Sequence, residues 1–545
     1  MATLFVNASG AAAEAIERAI PELVEERVAS RIMAKDATLW GPESEPEASI
    51  RLGWVDLIDA SRELLPAIEE LRGSLQAEGV NHIVLCGMGG SSLAPEVITR
   101  TGGVELTVLD STDPSQVGAA LADRLENTAI VVSSKSGSTV ETDSQRRIFE
   151  KAFTDAGIDA KSRIIIVTDP GSPLDESARA AGYRSVFNAD PTVGGRYSAL
   201  MAFGLVPSGL AGADIAGLLD DAESISEFLS EDDGGNVGLR LGAVLGGTLP
   251  LRDKIVFVDE GSGIVGLGDW VEQLIAESTG KLGTGVLPVV VEQGAPELSS
   301  GAEDVLAVHL VSPDESAEPT GDGITVGGSL GSQLLVWEFA TAVAGRLLGI
   351  NPFDQPDVEA AKKAARGLLD AQPEAIAPDF VDGAVEVRAG KALLGSASTL
   401  GEALEALFGT LESNGYLSVH AYLDRIAEAP LAQIRPALAR ATGRPVTFGW
   451  GPRFLHSTGQ FHKGGTPVGV YLQITGATPQ DLSIPERPFS FGELIAAQAA
   501  GDAQVLENAG RPVLRLHLAD REAGTRQLLN VIEHLSGRSV EIGNG

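Results

Sequence analysis

Residues 81–95 read Asn81-His-Ile-Val-Leu-Cys-Gly-Met-Gly-Gly-Ser-Ser-Leu-Ala-Pro95. The apolar run at 82–86 has no polar alternation, which is typical of a strand whose two faces are both covered by helices. The glycines that follow allow a tight turn, and the residues after them can begin a helix. A strand, a Gly-rich turn and a helix in this order indicate a parallel α/β sheet.

Similar apolar runs recur along the 545 residues and are separated by helical stretches. Each run is short enough for a strand, and each of the first four is followed by Gly, Ser, Asp or Pro. We therefore predict an α/β fold of two lobes, each a mostly parallel sheet flanked by helices. The runs lie at residues 82–86, 106–109, 129–133, 163–168, 254–259, 286–291, 305–311, 417–422, 445–449, 468–474 and 513–517.

The predicted domains are a helical segment at 1–45, a first lobe at 46–230 and a second lobe with a C-terminal extension at 231–545. Residues 230–236, rich in acidic residues and glycine, are expected to be a loose joint. Residues 312–328 are expected to be an exposed loop.

The charge balance is 40 basic against 75 acidic residues, a net charge of −35. Such a surface repels phosphate backbones and anionic lipids, so we expect no nucleic-acid or membrane partner. An anionic substrate would need a locally positive pocket. Cys86 is the only cysteine, and the N-terminus has no basic, apolar targeting pattern, so we expect a soluble cytoplasmic protein.

The turn after residue 86 is suited to an anion. Its glycines let backbone approach a ligand, Gly90 and Ser91 lie at its tip, and the next helix aims unpaired N–H groups at the same point. A dinucleotide-binding loop would carry glycine where Ser92 stands, which disfavours a dehydrogenase. A purely structural turn is the alternative.

The run at 129–133 leads into a second turn, Ser134-Lys-Ser-Gly-Ser-Thr-Val-Glu-Thr142. One hydroxyl would be enough to cap the following helix, and this turn has several. Hydroxyls and an ammonium group together suit the acceptor oxygens of a phosphate monoester. The predicted phosphate ligands are Ser134, Lys135, Ser136, Ser138 and Thr139.

Four further motifs make a resemblance specific. They are Val193-Gly-Gly-Arg-Tyr-Ser198, Gln273-Leu-Ile-Ala-Glu-Ser-Thr-Gly-Lys281, Asn351-Pro-Phe-Asp-Gln-Pro-Asp-Val-Glu-Ala-Ala-Lys362 and Phe454-Leu-His-Ser-Thr-Gly-Gln460. With the two turns, they resemble the signatures of glucose-6-phosphate isomerases, which are built from two sugar-isomerase domains. The arrangement around Phe454 is similar to the isomerase half of fused transaldolase–isomerase proteins.

The resemblance implies an aldose–ketose isomerase, an intramolecular oxidoreductase of glycolysis and gluconeogenesis that needs no cofactor. Glu277 would move a proton between neighbouring carbons, with Gln273 one turn earlier on the same helix face. Arg196 would stabilise the enediolate. On spacing alone Glu277 could be a surface glutamate, and Arg196 could form a structural ion pair.

Ring opening is assigned by the resemblance to His456 and Lys362. Imidazole titrates near neutrality and can both donate and accept a proton. Lys362 could instead lie on the solvated face of a helix at 356–369. His462 lies close to His456, but no ligand spacing completes a metal site, so we predict none.

The order of motifs departs from the family, in which the histidine motif precedes the lysine motif. His309 is the only histidine between Glu277 and Lys362. Ser136-Gly137-Ser138 also departs from the family's Thr-Phe-Thr, and small side chains there could broaden substrate choice. The alternatives left open are a dual phosphoglucose/phosphomannose isomerase and a non-catalytic sugar-phosphate-binding protein. Family members are usually homodimers, and we carry this over as an expectation.

Overall fold

The computed structural model describes residues 4–315, 318–319, 321–371 and 377–537. Its strands are β1 (Phe5–Ser9), β2 (His82–Gly87), β3 (Thr107–Leu109), β4 (Thr128–Ser133), β5 (Ile164–Thr168), β6 (Ser185–Asn188), β7 (Lys254–Asp259), β8 (Leu287–Val291), β9 (Val305–Val311), β10 (Gly323–Gly327), β11 (Phe380–Asp382), β12 (Val385–Arg388), β13 (Tyr416–Tyr422), β14 (Val446–Trp450), β15 (Gly469–Gly476) and β16 (Val513–Leu518).

The helices of the same residues are α1 (Ala11–Glu25), α2 (Val28–Met33), α3 (Glu45–Ala48), α4 (Ile58–Arg62), α5 (Leu65–Ala77), α6 (Leu93–Thr101), α7 (Pro114–Ala122), α8 (Val140–Asp155), α9 (Pro173–Ala181), α10 (Ala202–Ala211), α11 (Ile215–Leu229), α12 (Val237–Gly247), α13 (Leu267–Thr279), α14 (Leu330–Leu348), α15 (Val358–Ala371), α16 (Lys391–Leu394), α17 (Leu400–Phe408), α18 (Ile434–Thr442), α19 (Gly459–Gly464), α20 (Phe491–Asn508) and α21 (Arg521–Ser536).

The strands form three sheets. The first, β3-β2-β4-β5-β6, is parallel throughout. The second, β1-β10-β9-β7-β8, is parallel except for β1. The third, β11-β12-β16-β15-β13-β14, is parallel from β16 to β14 and antiparallel at β12 and β11. The predicted α/β class with mostly parallel, helix-flanked sheets is confirmed. The prediction of one sheet per lobe is wrong for 231–545, whose strands lie in two sheets, and the predicted helical segment at 1–45 also contains β1.

The first two sheets share one apolar core. A single cluster runs from Val6 to Phe353 and includes Leu85 of β2 and Phe257 of β7. The segment expected to be a loose joint is fastened to this body, because Asp232 accepts hydrogen bonds from Ser30. The boundaries at residues 45 and 230 stay a prediction.

The prediction of an exposed loop at 312–328 is wrong for the last third of these residues. Residues Gly323–Gly327 form β10, which is buried between β1 and β9. Glycines at both ends of this segment are typical of a loop, but the segment forms a strand because β1 pairs with the edge that β9 leaves free. The helix expected at 356–369 forms as Val358–Ala371.

The third sheet has one apolar and one polar face. Leu514 and Leu516 of β16 belong to the apolar cluster on one side. Arg515 and His517 alternate with them and face helices α15 and α20 on the other side. Alternation along a strand sends successive side chains to opposite faces. Among the described residues, no helix is both long and apolar enough to cross a membrane.

Candidate active site

The two predicted anion turns meet at the carboxyl edge of the first sheet. Strands β2 and β4 are parallel neighbours, and Gly87 lies opposite Ser133 in their register. The turn after β2 is a 3-10 turn, Gly89–Ser91, and the turn after β4 leads into α8. The prediction that both turns lie at adjacent strand ends is confirmed.

Close backbone packing explains the glycines of the first turn. A Cβ on Gly90 would lie 2.0 Å from the carbonyl oxygen of Gly195, and one on Gly89 would lie 2.6 Å from that of His456. Gly89 also has φ +56°, a conformation that favours glycine. Ser91 is buried beside them. The turn therefore joins the Gly-Gly-Arg motif and the histidine motif.

Hydrogen bonds within the second turn fix the positions of its hydroxyls. Ser134 Oγ donates to Thr139 Oγ1 at 3.2 Å and accepts from the Gly137 amide at 3.2 Å. The hydroxyls of Ser136 and Ser138 are 2.8 Å apart and exposed to solvent. Gly137 has φ +68°, a backbone conformation that favours glycine, and the close approach of Leu174 leaves no room for a Cβ there.

Lys135 belongs to this turn, but its ammonium group is engaged elsewhere. It lies 2.8 Å from Asp169 Oδ2 and donates to the carbonyl oxygen of Pro191 at 3.1 Å. Burial raises the pKa of Asp169, and the hydrogen bond from Lys135 opposes this rise. Lys135 thus lies at the rim of the turn and would have one donor left for a ligand.

Arg196 is buried and almost fully hydrogen-bonded. Its Nε donates to Ser278 Oγ at 2.7 Å, and its Nη1 donates to Gln355 Oε1 at 2.8 Å. Its Nη2 donates to the carbonyl oxygens of Pro352 and Asp354, at 2.7 and 3.1 Å. These bonds connect three of the sequence motifs and fix the plane of the guanidinium group.

Lys281, the last residue of the Glu-Ser-Thr-Gly-Lys motif, was not predicted as a site residue. It donates to the carbonyl oxygens of Asn351 and Asp354, at 2.7 and 2.6 Å, and to Asp354 Oδ1 at 2.6 Å. Burial lowers the pKa of Lys281 to about 8, and the charge of Arg196 acts in the same direction. The two cations together hold the segment between α14 and α15.

The carboxylate of Glu277 faces these cations from α13. Its Oε1 lies 3.4 Å from Arg196 Nη1, and its side chain is 14% exposed. Its Oε2 accepts from Gln273 Nε2 at 3.0 Å. The same amide nitrogen donates to the carbonyl oxygen of His456 at 2.7 Å. Gln273, one turn earlier as predicted, therefore joins Glu277 to the histidine segment.

His456 is supported by two residues that sequence reasoning missed, Glu141 and Gln498. Its Nε2 lies 3.1 Å from Glu141 Oε1, and Gln498 Nε2 donates to the same oxygen at 2.7 Å. Burial alone would raise the pKa of Glu141, but the charge and hydrogen bond of His456 bring it below its ordinary value. Glu141 lies at the end of the second turn, which we call the hydroxyl turn, and this position is a signal in the sequence. No signal in the sequence points to Gln498.

Two other candidates have partners outside this group. Lys362 forms an ion pair with Glu359 at 2.8 Å and is 42% exposed, and its charge is among the influences that lower the pKa of Glu141. His309, the only histidine in the family's usual order, pairs with Glu260 at 3.0 Å. The structure therefore brings His456, rather than His309, to Gln273.

The predicted absence of a metal site has one counter-candidate among the described residues, His82 with Glu105 and Asp123. His82 begins β2, so this group lies at the opposite end of the strand from the anion turns. Both nitrogens of His82 lie 2.8 Å from threonine hydroxyls, and Arg124 donates to both carboxylates. These ligand atoms are already engaged within the protein.

A family model described as phosphoglucose isomerase matches residues 64–245. The glucose-6-phosphate isomerase of Gloeothece citriformis is 28% identical over 399 residues, which cover 61% of this chain and 74% of that protein. A probable glucose-6-phosphate isomerase of Natronomonas pharaonis is 30% identical over 347 residues, which cover 53% of this chain and 78% of that protein.

Two solved structures share the fold. A hypothetical protein of Thermus thermophilus aligns with a TM-score of 0.56 and 25% identity, over 67% of this chain and 99% of that one. A glucose-6-phosphate isomerase of Chlamydia trachomatis aligns with a TM-score of 0.52 and 19% identity, over 65% of this chain and 86% of that one.

Proposed function

This chain belongs to the glucose-6-phosphate isomerase family, and we propose that Glu277, Arg196 and His456 carry out its reaction. The enzyme interconverts glucose 6-phosphate and fructose 6-phosphate, an aldose–ketose isomerisation shared by glycolysis and gluconeogenesis. Each residue has a role that follows from its contacts.

Proton transfer is assigned to Glu277. Its carboxylate takes the proton from C2 of the open-chain aldose, and the electron pair forms an enediolate whose charge rests on oxygen. Transfer of the C2 hydroxyl proton to O1 and return of the abstracted proton to C1 give the ketose. The Gln273 amide at Oε2 and the Arg196 guanidinium at Oε1 fix the carboxylate in place. Arg196, held rigidly by its other hydrogen bonds, stabilises the developing negative charge.

Ring opening is assigned to His456. Because the pKa of Glu141 lies below its ordinary value, this carboxylate is ionised at neutral pH and accepts a hydrogen bond from His456 Nε2–H. That hydrogen bond leaves Nδ1 free to exchange a proton with the ring oxygen and the anomeric hydroxyl. Lys362 assists only if its exposed side chain leaves Glu359 and turns toward the substrate.

The phosphate group is assigned to the hydroxyl turn. The hydroxyls of Ser134, Ser136, Ser138 and Thr139 and the first amides of α8 offer donors to the phosphate oxygens. Glu141 stands two residues beyond Thr139, so this turn lies beside the support of His456. Gly90 and Ser91 line the neighbouring turn.

The assignment rests on one contact: Gln273 Nε2 donates hydrogen bonds to both the Glu277 carboxylate and the carbonyl oxygen of His456. The test is conversion of fructose 6-phosphate, coupled to glucose-6-phosphate dehydrogenase, with and without EDTA. Glu277→Gln should lower kcat by about three orders of magnitude or more while phosphosugar binding persists. Glu522→Gln, at a glutamate that is 88% exposed, is the matched control.

Retention of most activity by Glu277→Gln would refute Glu277 as the base. Loss of conversion on adding EDTA would contradict an isomerisation that uses only these side chains. Binding of fructose 6-phosphate with no turnover by the wild-type chain would favour the sugar-phosphate-binding alternative.

Two further proposals concern the protein in the cell. A homodimer is supported by the family's usual assembly, and sedimentation equilibrium tests it. A cytoplasmic location is supported by the single cysteine, which leaves no intrachain disulfide to form. Fractionation of the native host with an antibody to the chain tests that location.

A further inference from the structure

A cavity of about 880 Å3 lies on the polar face of the third sheet, beneath α15 and α20. Strands β12, β15 and β16 form its floor, and Tyr422, the last residue of β13, forms one end. Arg196, Glu277 and His456 do not line it. It is therefore separate from the proposed catalytic centre.

The cavity occupies a position where parallel sheets bind ligands. It includes the carboxyl ends of β13 and β15, which are neighbours in the sheet. The chain passes from β13 to β14 on one side and then crosses back to β15 on the other. A crevice at such a reversal of strand order, outside the carboxyl ends, is the usual ligand position in open α/β sheets.

Two arginines on the cavity floor are directly opposite each other. Arg388 of β12 pairs with Arg515 of β16 in the antiparallel register. Like charges in this arrangement repel. Arg388 donates to Glu386 Oε2 at 2.6 Å, whereas Arg515 Nε is buried and has no hydrogen-bond partner. A buried guanidinium donor without an acceptor is unfavourable unless a ligand supplies one.

Among the described residues, no carboxylate forms an ion pair with Arg515. Burial lowers the pKa of Arg515, Glu507 opposes this shift and Arg388 adds to it. Glu507 is exposed, and no hydrogen bond or ion pair joins it to Arg515. The other two lining carboxylates are engaged, since Glu386 accepts from Arg388 and Glu493 accepts from the Ser490 amide at 2.8 Å.

His517 adds an acceptor to the same floor. Its Nδ1 lies 2.9 Å from Thr475 Oγ1, and that hydroxyl donates to the carbonyl oxygen of Leu516. The hydroxyl has one proton, so it must accept from Nδ1–H. Burial lowers the pKa of His517, so the neutral ring presents an unprotonated Nε2.

The roof of the cavity is apolar and made of small side chains. Alanines of α20 leave the space, and larger apolar side chains also line it. The volume falls within the range of pockets that hold a drug-sized or nucleotide-sized molecule. The apolar lining includes Leu368, Leu369, Phe489, Ile495, Ala496 and Ala500.

We propose that this cavity binds an organic anion, whose carboxylate or phosphate group lies at Arg515 and Arg388 and whose apolar body lies along α20. The anion would relieve the repulsion between the arginines and supply the acceptor that Arg515 Nε lacks. This proposal is independent of the catalytic assignment.

The probe is 8-anilinonaphthalene-1-sulfonate, an aromatic sulfonate that becomes fluorescent in apolar surroundings, titrated into the full chain with saturating fructose 6-phosphate. We expect saturable binding of one dye per chain. Arg515→Gln should weaken binding by about tenfold or more, the usual value of a charge-assisted contact. Glu386→Gln should strengthen it, because the change removes a carboxylate charge that repels an anion at the cavity floor.

Two further variants test the space in the cavity and the effect of general charge. Ala500→Phe fills the cavity, keeps both arginines and should abolish binding. Arg526→Gln removes an arginine that is 65% exposed on α21 and should bind as the wild type. Phenyl phosphate and phenylacetate as competitors distinguish a phosphate from a carboxylate preference. Dye binding that is unchanged by both Arg515→Gln and Ala500→Phe, or displaced by neither competitor, would overturn the proposal.

Discussion

Gln498 offers the sharpest test of how the third sheet supports catalysis. It lies on α20, is buried, and donates from Nε2 to Glu141 Oε1 at 2.7 Å. Its own Oε1 accepts from Thr112 Oγ1 at 2.7 Å, which fixes the orientation of the amide. Gln498→Met keeps the length of the side chain and removes both hydrogen bonds.

The size of the effect follows from the charge of Glu141. A hydrogen bond to a charged group contributes about 1.5–3 kcal/mol. Its loss disfavours the ionised form and so raises the pKa of Glu141, and one pH unit corresponds to about 1.4 kcal/mol. Glu141 has a lowered pKa in the folded chain, so its ionised form is lost only as pH falls through that pKa. A raised pKa moves this loss to higher pH.

We therefore expect the acid limb of the kcat profile of Gln498→Met to shift upward by about one to two pH units. The free energy of unfolding at neutral pH should fall by a similar 1.5–3 kcal/mol or so. The measurements are steady-state kinetics across the pH range and urea unfolding. Gln504→Met, on the exposed face of the same helix, is the matched control.

A variant that is destabilised but keeps the wild-type pH profile would refute this reasoning. Gln498 would then be a packing residue without influence on Glu141 and His456. A parallel fall of kcat at every pH, with no shift of the acid limb, would equally contradict the assigned role of the Glu141 charge.

Arg196→Lys keeps the charge but loses the planar group that spans three motifs, so kcat should fall by about two to three orders of magnitude with little change in KM. Gly90→Ala places a methyl group 2.0 Å from the Gly195 oxygen and should lower the free energy of unfolding by about 1–3 kcal/mol, whereas Gly195→Ala meets open space and should keep the wild-type Tm. Although burial opposes it, Arg453 and a second arginine hold the pKa of Glu96 at about 2 instead of 4.5. The stabilisation from this charge is complete above the ordinary pKa and is lost as pH falls toward 2. Glu96→Gln should therefore flatten the dependence of the unfolding free energy on pH over this range, as measured by urea unfolding. An unchanged pH dependence would contradict the prediction.

The third sheet brings the His456 segment to Gln273 within the same chain. His456 follows β14, and α19 behind it packs on α13, where Gln460 Nε2 donates to the carbonyl oxygen of Gly280 at 2.9 Å. The motif order that departs from the family is therefore compatible with a histidine close to Glu277. Chain order does not matter once a separate sheet returns the histidine to the same cleft.

Local patterns in the sequence determined the strands and much of the site. Continuous apolar runs place a strand with both faces buried, and residues 254–259 and 305–311 form strands with the predicted bounds. Because parallel strands end at one edge, the polar turns after them were predictable as neighbours. The spacing of Gln273 and Glu277 on one helix face is also a local property.

Only the tertiary structure decided which distant segments meet. β1 pairs with β10 across more than half of the chain, and Gln498 bonds to Glu141 at a separation of 357 residues. The pairing of Arg388 with Arg515 likewise depends on the position of β12 at the sheet edge. The hydrophobic periodicity of a segment indicates that one of its faces is buried, but it does not indicate which element packs against that face. Long-range partners are chosen by the packing of whole faces against each other, and no local pattern encodes that choice.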